Sequence, residues 1–224
     1  MEKGNFEEIN PENKDLKTET DHVNVDLSVQ EFDESYSELN ALEDVDDKVI
    51  KHLERQIRGS YEYKQYIKYL KDELDISNCA LTPGLDLHDI KFQLEFHHYP
   101  LSLYDIVSVI TNNKLTTKTE EQSVSMFDIM ETVMREHYDG NIGLVPLSST
   151  AHEMYHNGAV MIPASSVYGN YDRFIAKYKP NITPELEEKV LTAKSITEEQ
   201  AKIFNEKLNK NTLNYNIHYN KKDD

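Results

Sequence analysis

The chain has 224 residues, of which 38% are hydrophobic and 29% charged, and its formal net charge at pH 7 is −17. No apolar run is long enough to cross a bilayer, and the acidic amino terminus lacks the apolar stretch of a secretory signal, so we expect no membrane association. The single cysteine, Cys79, cannot form an internal disulfide, which fits a reducing cytoplasm. Residues 1–50 carry a net charge of −12 and the other residues only −5. The composition therefore lacks the basic balance that is typical of nucleic-acid-binding proteins.

Residues 1–42 are predicted to form an acidic, disordered arm. They have few large apolar side chains and no sustained helical or strand period, so they cannot bury enough surface to offset the entropy lost on ordering. The simplest interpretation is a solubilising tail. A regulatory arm that mimics the charge of DNA is the alternative.

A helical hairpin is predicted over residues 43–76. Apolar side chains recur every four residues at Val49, Leu53 and Ile57, and Gly59 interrupts this run. Ser60 is a suitable N-cap for a second helix that reaches about Leu74. The apolar side of that helix is predicted to consist of Tyr63, Ile67, Leu70 and Leu74.

Residues 77–175 are predicted to form an α+β core with a helical insert over residues 101–138. Residues 90–96 alternate between apolar and polar side chains, which indicates a half-buried strand that runs into His97-His98. The insert contains two predicted helices, from Leu103 to about Thr111 and from Ser125 to about His137.

A second strand and a short helix complete the predicted core. Asp139-Gly140 turns the chain into an apolar strand over residues 142–147. The helix begins at Ser149 or Thr150, and Asn157-Gly158 ends it as a left-handed C-cap.

Residues 176–224 are predicted to form a helical carboxyl-terminal extension. Thr183-Pro184 is typical of an N-cap followed by proline at the first helical position. Thr197 and Gln200 form a capping box that opens a helix to about Leu208. Residues 211–224 are expected to be frayed.

Four histidines occur in two pairs that suit a metal site. His152 and His156 are four residues apart on the short helix, so their side chains project from the same face. This spacing allows two imidazoles to bind one metal ion, and a histidine at the end of the neighbouring strand would supply a third ligand. Neutral imidazoles without thiolates favour zinc, nickel or manganese over a site selective for magnesium. The alternative is that His97-His98 are a partly exposed structural pair at the strand end, or that His152 and His156 lie on a helix face that binds no metal.

Three segments together resemble the HNH, or ββα-metal, endonucleases. They are Glu95-Phe-His-His-Tyr-Pro, Asn141-Ile-Gly-Leu-Val-Pro-Leu and His152-Glu-Met-Tyr-His156. The resemblance implies that His97 binds a divalent metal ion (zinc, nickel, manganese or magnesium) together with His152 and His156. It further implies that His98 is the general base that activates water and that Asn141 orients the ring of His98.

The function implied by this resemblance is metal-dependent hydrolysis of DNA phosphodiester bonds by an endonuclease. The Val167-Tyr-Gly-Asn-Tyr stretch is also similar to HNH-like proteins of tailed bacteriophages. That similarity implies the cytoplasm of a bacterial host. The nuclease resemblance implies DNA as a partner, and a phage or host protein is a possible partner of the acidic arm.

Two alternative functions remain open from the sequence. One is an HNH-derived phage protein that has lost catalysis and acts in structure or interaction, which the acidic balance favours. The other is a zinc metalloprotease, because residues 152–156 match H-E-x-x-H with Glu153 as the base. The predicted helix is shorter than such proteases use, and that function would leave His97-His98 without a role.

Overall fold

The computed structural model describes residues 38–39, 45–82 and 93–206, all of which belong to the unit Glu34–Asp224. Within these residues the fold is α+β, with eight α-helices and two small antiparallel sheets of two strands each. The strands are β1 (Glu38–Leu39), β2 (Leu94–His98), β3 (Val124–Ser125) and β4 (Leu144–Ser148). The helices are α1 (Asp47–Gly59), α2 (Tyr61–Asp72), α3 (Leu103–Thr117), α4 (Met126–Tyr138), α5 (Ser149–His156), α6 (Tyr171–Lys177), α7 (Pro184–Ser195) and α8 (Glu198–Phe204).

The predicted amino-terminal hairpin is present as α1 and α2. Ser60 caps α2 by accepting a hydrogen bond from the backbone N–H of Tyr63, as predicted. The buried face of α2 differs from the prediction, because Tyr66 is buried whereas Leu74 lies beyond the helix and is 49% exposed. The reason is the position of α4: Tyr66 packs edge-on against His137 and Tyr138, so this contact selects the face of α2 that turns inward.

Strands β2 and β4 form the ladder that positions the candidate site. They pair antiparallel, with His97 opposite Val145 and His98 opposite Leu144. Both predicted strands are present with shifted bounds: β2 begins at Leu94, with residues 90–92 outside the described residues, and β4 spans Leu144–Ser148 in place of residues 142–147. Helix α5 begins immediately after β4, and its N-cap is Ser148. It packs against both strands and is followed by Gly158, whose φ of +68° is the left-handed conformation that the sequence predicted there.

The predicted helical insert is present as α3 and α4. Capping boxes open both helices, formed by Ser102 with Asp105 and by Ser125 with Asp128. Helix α3 is longer than predicted and reaches Thr117, because buried Leu115 in its last turn extends its inward face. Helix α3 packs against α1 and α4, and this contact joins the hairpin to the core.

The prediction that residues 1–42 form a disordered arm is wrong at Glu38–Leu39. These two residues form β1, which pairs antiparallel with β3, and the side chain of Leu39 is only 1% exposed. Residues 1–37 and 40–44 lie outside the described residues. The local sequence could not reveal β1, because its partner strand lies more than 80 residues away along the chain.

The carboxyl-terminal part of the described chain is helical, as predicted. Thr183 caps α7, and Thr197 with Gln200 forms the capping box of α8. Helix α8 ends at Phe204, and residues 207–224, including the expected frayed end, lie outside the described residues. Helix α6 was not predicted, and it is anchored by buried Phe174. Among the described helices, none combines the length and apolar character needed to cross a bilayer.

Candidate metal centre

Three of the predicted site residues meet at one point. His97 projects from β2, and His152 and His156 project from consecutive turns of α5, which packs on that strand. One ring nitrogen from each histidine lies within 4.8 Å of the other two. The structure therefore brings together the three residues that the sequence assigned as metal ligands.

Two separations within this cluster are hydrogen-bond distances, slightly shorter than those between ligands of a single metal ion. His97 Nδ1 lies 2.9 Å from His152 Nε2, and His156 Nε2 lies 3.0 Å from the same atom. Bonds of about 2.0–2.1 Å to a tetrahedral zinc ion would set its ligand nitrogens about 3.4 Å apart. Small side-chain rotations would bring the three rings to that spacing.

A carboxylate fixes the orientation of the central histidine. Glu95 Oε2 lies 2.5 Å from His152 Nδ1, and both side chains are about two-thirds buried. A carboxylate that accepts a hydrogen bond from Nδ1 leaves Nε2 free as a metal donor, which is the usual outer-sphere arrangement of metal-binding histidines. Sequence reasoning assigned Glu95 no role, although strand alternation places it on the same face as His97.

The protonation state of His97 suits a metal ligand. Burial, followed by the neighbouring His152 and His156, lowers the pKa of His97 to about 3. The ring is therefore neutral at physiological pH, and a neutral imidazole is the form that binds a metal ion.

One aromatic side chain forms a wall of the cluster. The ring centroid of Tyr155 lies 4.7 Å from that of His97 and 5.7 Å from that of His156. On the other side His156 is exposed, so the cluster is open to solvent at one edge. A site with three protein ligands and one open edge can hold a metal ion and an additional small ligand.

His98 does not join the cluster. It lies on the opposite face of β2 with Leu94 and Phe96, and it is only 5% exposed. Its Nε2 lies 3.0 Å from Nε2 of His137, and its ring stacks on Tyr63. A buried ring on the far face cannot activate water at the cluster, so the predicted role of His98 as general base does not fit its position. The alternation that predicted β2 also separates His97 from His98, and this signal was overlooked.

The partner of His98 is His137, a residue that sequence analysis did not single out. Nδ1 of His137 lies 2.7 Å from the carbonyl oxygen of Val133. Because a carbonyl only accepts, this nitrogen carries the proton, and Nε2 of a neutral His137 accepts from His98. Burial lowers the pKa of His137 to about 4 and that of His98 well below its usual value, so both rings are neutral.

Asn141 belongs to a third, separate network. Its Nδ2 donates to Glu136 Oε2 at 2.7 Å, so the predicted contact with the ring of His98 is replaced by one with Glu136. The other carboxylate oxygen of Glu136 accepts from Lys177 and from the hydroxyl of Tyr178. Burial favours protonation of this carboxyl, but the three donors outweigh it and hold the pKa of Glu136 below its usual value. This network ties α4 to the segment before β4 and to α6.

Glu153, the base in the metalloprotease alternative, is exposed on α5. Successive helical residues are about 100° apart, so Glu153 does not share the face of His152 and His156. Helix α5 has only eight residues.

Comparison with known protein families identifies a match over almost the whole chain. A family model described as bacteriophage G278-like virion protein matches residues 1–223. Neither the curated proteins nor the solved structures that were compared give a match.

Proposed function

The chain belongs to the bacteriophage G278-like virion protein family, and from this membership we propose that it is a structural component of the phage particle that binds one divalent metal ion. The ligands are His97, His152 and His156, held on β2 and α5. The partners of such a component are other phage proteins. A phage protein without catalytic activity was one of the alternatives that the sequence left open, and here such a protein keeps the three histidines as a metal site.

The convergence of the three histidines carries the proposal. All three donors are imidazole nitrogens, and the Glu95 carboxylate orients the central ring. Zinc is the preferred ion, because it accepts neutral imidazoles in a tetrahedral arrangement. When bound, the ion would cross-link β2 and α5. It would also act as a Lewis acid at any coordination position that is not filled by a protein ligand.

The arrangement of the site also supports an HNH-like origin. A ligand at the end of one strand, a second antiparallel strand, and two ligands on the helix that follows it are the parts of the HNH core in their expected order. The catalytic part of that likeness has no support, because His98 is buried against His137 and Asn141 is bound to Glu136. These two positions favour a scaffold without nuclease activity.

Hydrolysis of DNA phosphodiester bonds is the second candidate function. It is favoured by one observation, the exposed edge of the cluster at His156, which would admit a phosphate beside the metal. Its base would have to be a residue other than His98.

Metal binding by the purified full-length chain tests the primary proposal. After removal of metal with a chelator, isothermal titration with zinc should give one site per chain. At free zinc about 100 times the dissociation constant, the melting temperature should rise by about 5–10 °C. His156→Ala should lose both effects. Glu95→Gln should weaken binding about 10–100-fold, because it removes the partner of His152 Nδ1. Glu153→Gln is the matched control on the same helix and should bind zinc like the unmodified chain.

Two further measurements separate the candidate functions. The primary proposal expects mass spectrometry of purified particles to detect the chain. It also expects supercoiled plasmid to stay intact with zinc, nickel, manganese or magnesium. Nicking that His156→Ala abolishes would replace the structural proposal with the nuclease, whereas the absence of zinc binding would refute the metal site.

A further inference from the structure

A cavity of about 290 Å³ lies on the face of the β2–β4 ladder opposite the metal centre. Phe96 and Leu144 contribute to its lining, and Phe96 shares the inward face of β2 with His98. The side chains of Glu95 and His97 project to the other side of the same strand. The cavity is therefore separate from the histidine cluster.

Tyrosine rings dominate the rim of this cavity. Tyr69, Tyr138 and Tyr168 line it and remain 41%, 49% and 50% exposed, and buried Tyr66 lies deeper. Tyr66 packs edge-on against Tyr138, with ring centroids 5.1 Å apart. Aromatic ring faces carry a negative electrostatic potential and attract cations.

Two helix ends add negative potential at the same place. Tyr69 and Leu70 lie in the last turn of α2, and His137 and Tyr138 lie in the last turn of α4, so both helices direct their carboxyl ends towards the cavity. The helix macrodipole makes such ends partly negative. Basic side chains in the same turns, Lys71 and Arg135, and backbone hydrogen bonds to the last carbonyl groups reduce this potential. The two helix ends therefore add a modest potential that disfavours an anionic occupant.

The charged side chain in the lining has the same sign. Asp139 is exposed and makes no ion pair with any residue in the described ranges. Lys71 lies beside the lining, since its ammonium is 5.9 Å from the centroid of Phe96 and donates to the carbonyl oxygen of Leu94. No ion pair joins Lys71 to Asp139, so the carboxylate at the rim is available to accept hydrogen bonds from an occupant.

We propose that this tyrosine-lined cavity binds an arginine side chain of a partner protein in the phage particle. A guanidinium is planar, so it can stack on a tyrosine ring while it donates hydrogen bonds to a carboxylate such as Asp139. It is also weakly hydrated, which lowers the cost of entering an aromatic pocket. The occupant is a partner's side chain because the rings at the rim are half exposed, a position that a protruding residue can reach.

The test uses N-acetyl-arginine amide as the probe and the full-length chain labelled with ¹⁵N. We expect saturable shifts in the amide resonances of residues 138–140 and 168–169, with a dissociation constant in the millimolar range. The citrulline analogue has nearly the same shape but no charge, and it should bind about tenfold more weakly.

Two variants examine the two parts of the cavity. Asp139→Asn should weaken arginine binding several-fold and leave citrulline binding unchanged. Tyr168→Leu keeps apolar area but removes a ring, so it should also weaken arginine binding. Glu187→Gln, an exposed carboxylate on α7, is the matched control and should have no effect.

The outcomes decide the proposal. Equal affinity for arginine and citrulline, shifts confined to other residues, or no saturable shift in the millimolar range would each overturn it. Tighter binding of tetramethylammonium than of arginine would also overturn it, because the cavity would then suit a small quaternary ammonium ligand. Since the probe and variants do not touch the histidine cluster, loss of zinc binding would leave this result unaffected.

Discussion

At the scale of single residues, the buried pair His98 and His137 links the fold to pH. Both rings are neutral in the folded chain, because burial lowers the pKa of His137 to about 4 and that of His98 well below its usual value. In the unfolded chain the pKa of both rings should be about 6.5. The unfolded state therefore binds more protons than the folded state below that pH, and the stability that the pair contributes is present above it and lost as the pH falls.

This difference predicts the slope of stability against pH. Between pH 7 and 5, the free energy of unfolding in chelator should fall by up to about 1.4 kcal/mol per pH unit for each such histidine. His137→Leu removes one titrating ring, so the slope of its unfolding free energy against pH should be smaller by up to about 1.4 kcal/mol per pH unit. Its stability at pH 7 should also be lower. Urea unfolding at several pH values measures both quantities. An identical slope in the variant would contradict a neutral, buried His137.

At the scale of elements, the approach of β4 to the segment after β2 depends on Gly143. A Cβ atom built on this glycine would lie 2.0 Å from the backbone oxygen of Tyr99, and the Gly143 carbonyl accepts a hydrogen bond from the Tyr99 N–H. This contact holds the ends of β2 and β4 together, one residue beyond the last pair of the ladder.

Gly143→Ala is therefore expected to destabilise the fold by about 1–3 kcal/mol, because the backbone of Tyr99 cannot move without disturbing the ladder. Gly59→Ala is the matched control, since nothing lies within 4 Å of the added methyl group at the end of α1. It should be neutral or stabilising by up to about 1 kcal/mol. Urea unfolding measures the stability of both variants. Equal stabilities would show that a methyl group at Gly143 does not clash with the backbone oxygen of Tyr99.

At the scale of the whole molecule, the β1–β3 sheet connects the amino-terminal region to the helical insert. Leu39 in β1 is 1% exposed, and Val124 in β3 is also buried. Burial of one leucine side chain contributes about 2 kcal/mol. The predicted boundary at residue 42 therefore wrongly assigns β1, which belongs to the core, to the disordered arm.

Two deletions should distinguish the arm from the core. Deletion of residues 1–42 removes β1, and we expect its melting temperature to lie about 5 °C below that of a deletion of residues 1–37, which keeps β1. Differential scanning calorimetry measures the difference. Equal melting temperatures would mean that β1 adds no stability and that the arm extends to residue 42, as the sequence alone predicted.

Short-range sequence patterns were enough to predict most helix starts, the strand β2 and the helix face from which the side chains of His152 and His156 project. Strand alternation located β2, the i, i+4 spacing placed His152 and His156 on one helical face, and Ser60, Thr183 and Thr197 marked helix starts. These predictions succeeded because caps and periodicity depend on neighbours within a few residues along the chain. The three metal-ligand assignments follow from the same short-range rules combined with the HNH resemblance.

Contacts between residues far apart along the chain could not be predicted from these patterns. The tertiary structure paired His98 with His137, Asn141 with Glu136, and Glu95 with His152, and it turned Tyr66 of α2 inward against α4. Each of these contacts depends on how helices and strands pack, and packing is set by shape and burial across the whole core. Local sequence patterns fix the direction of a side chain from its own element, but the partner it meets there belongs to another element whose position they do not contain.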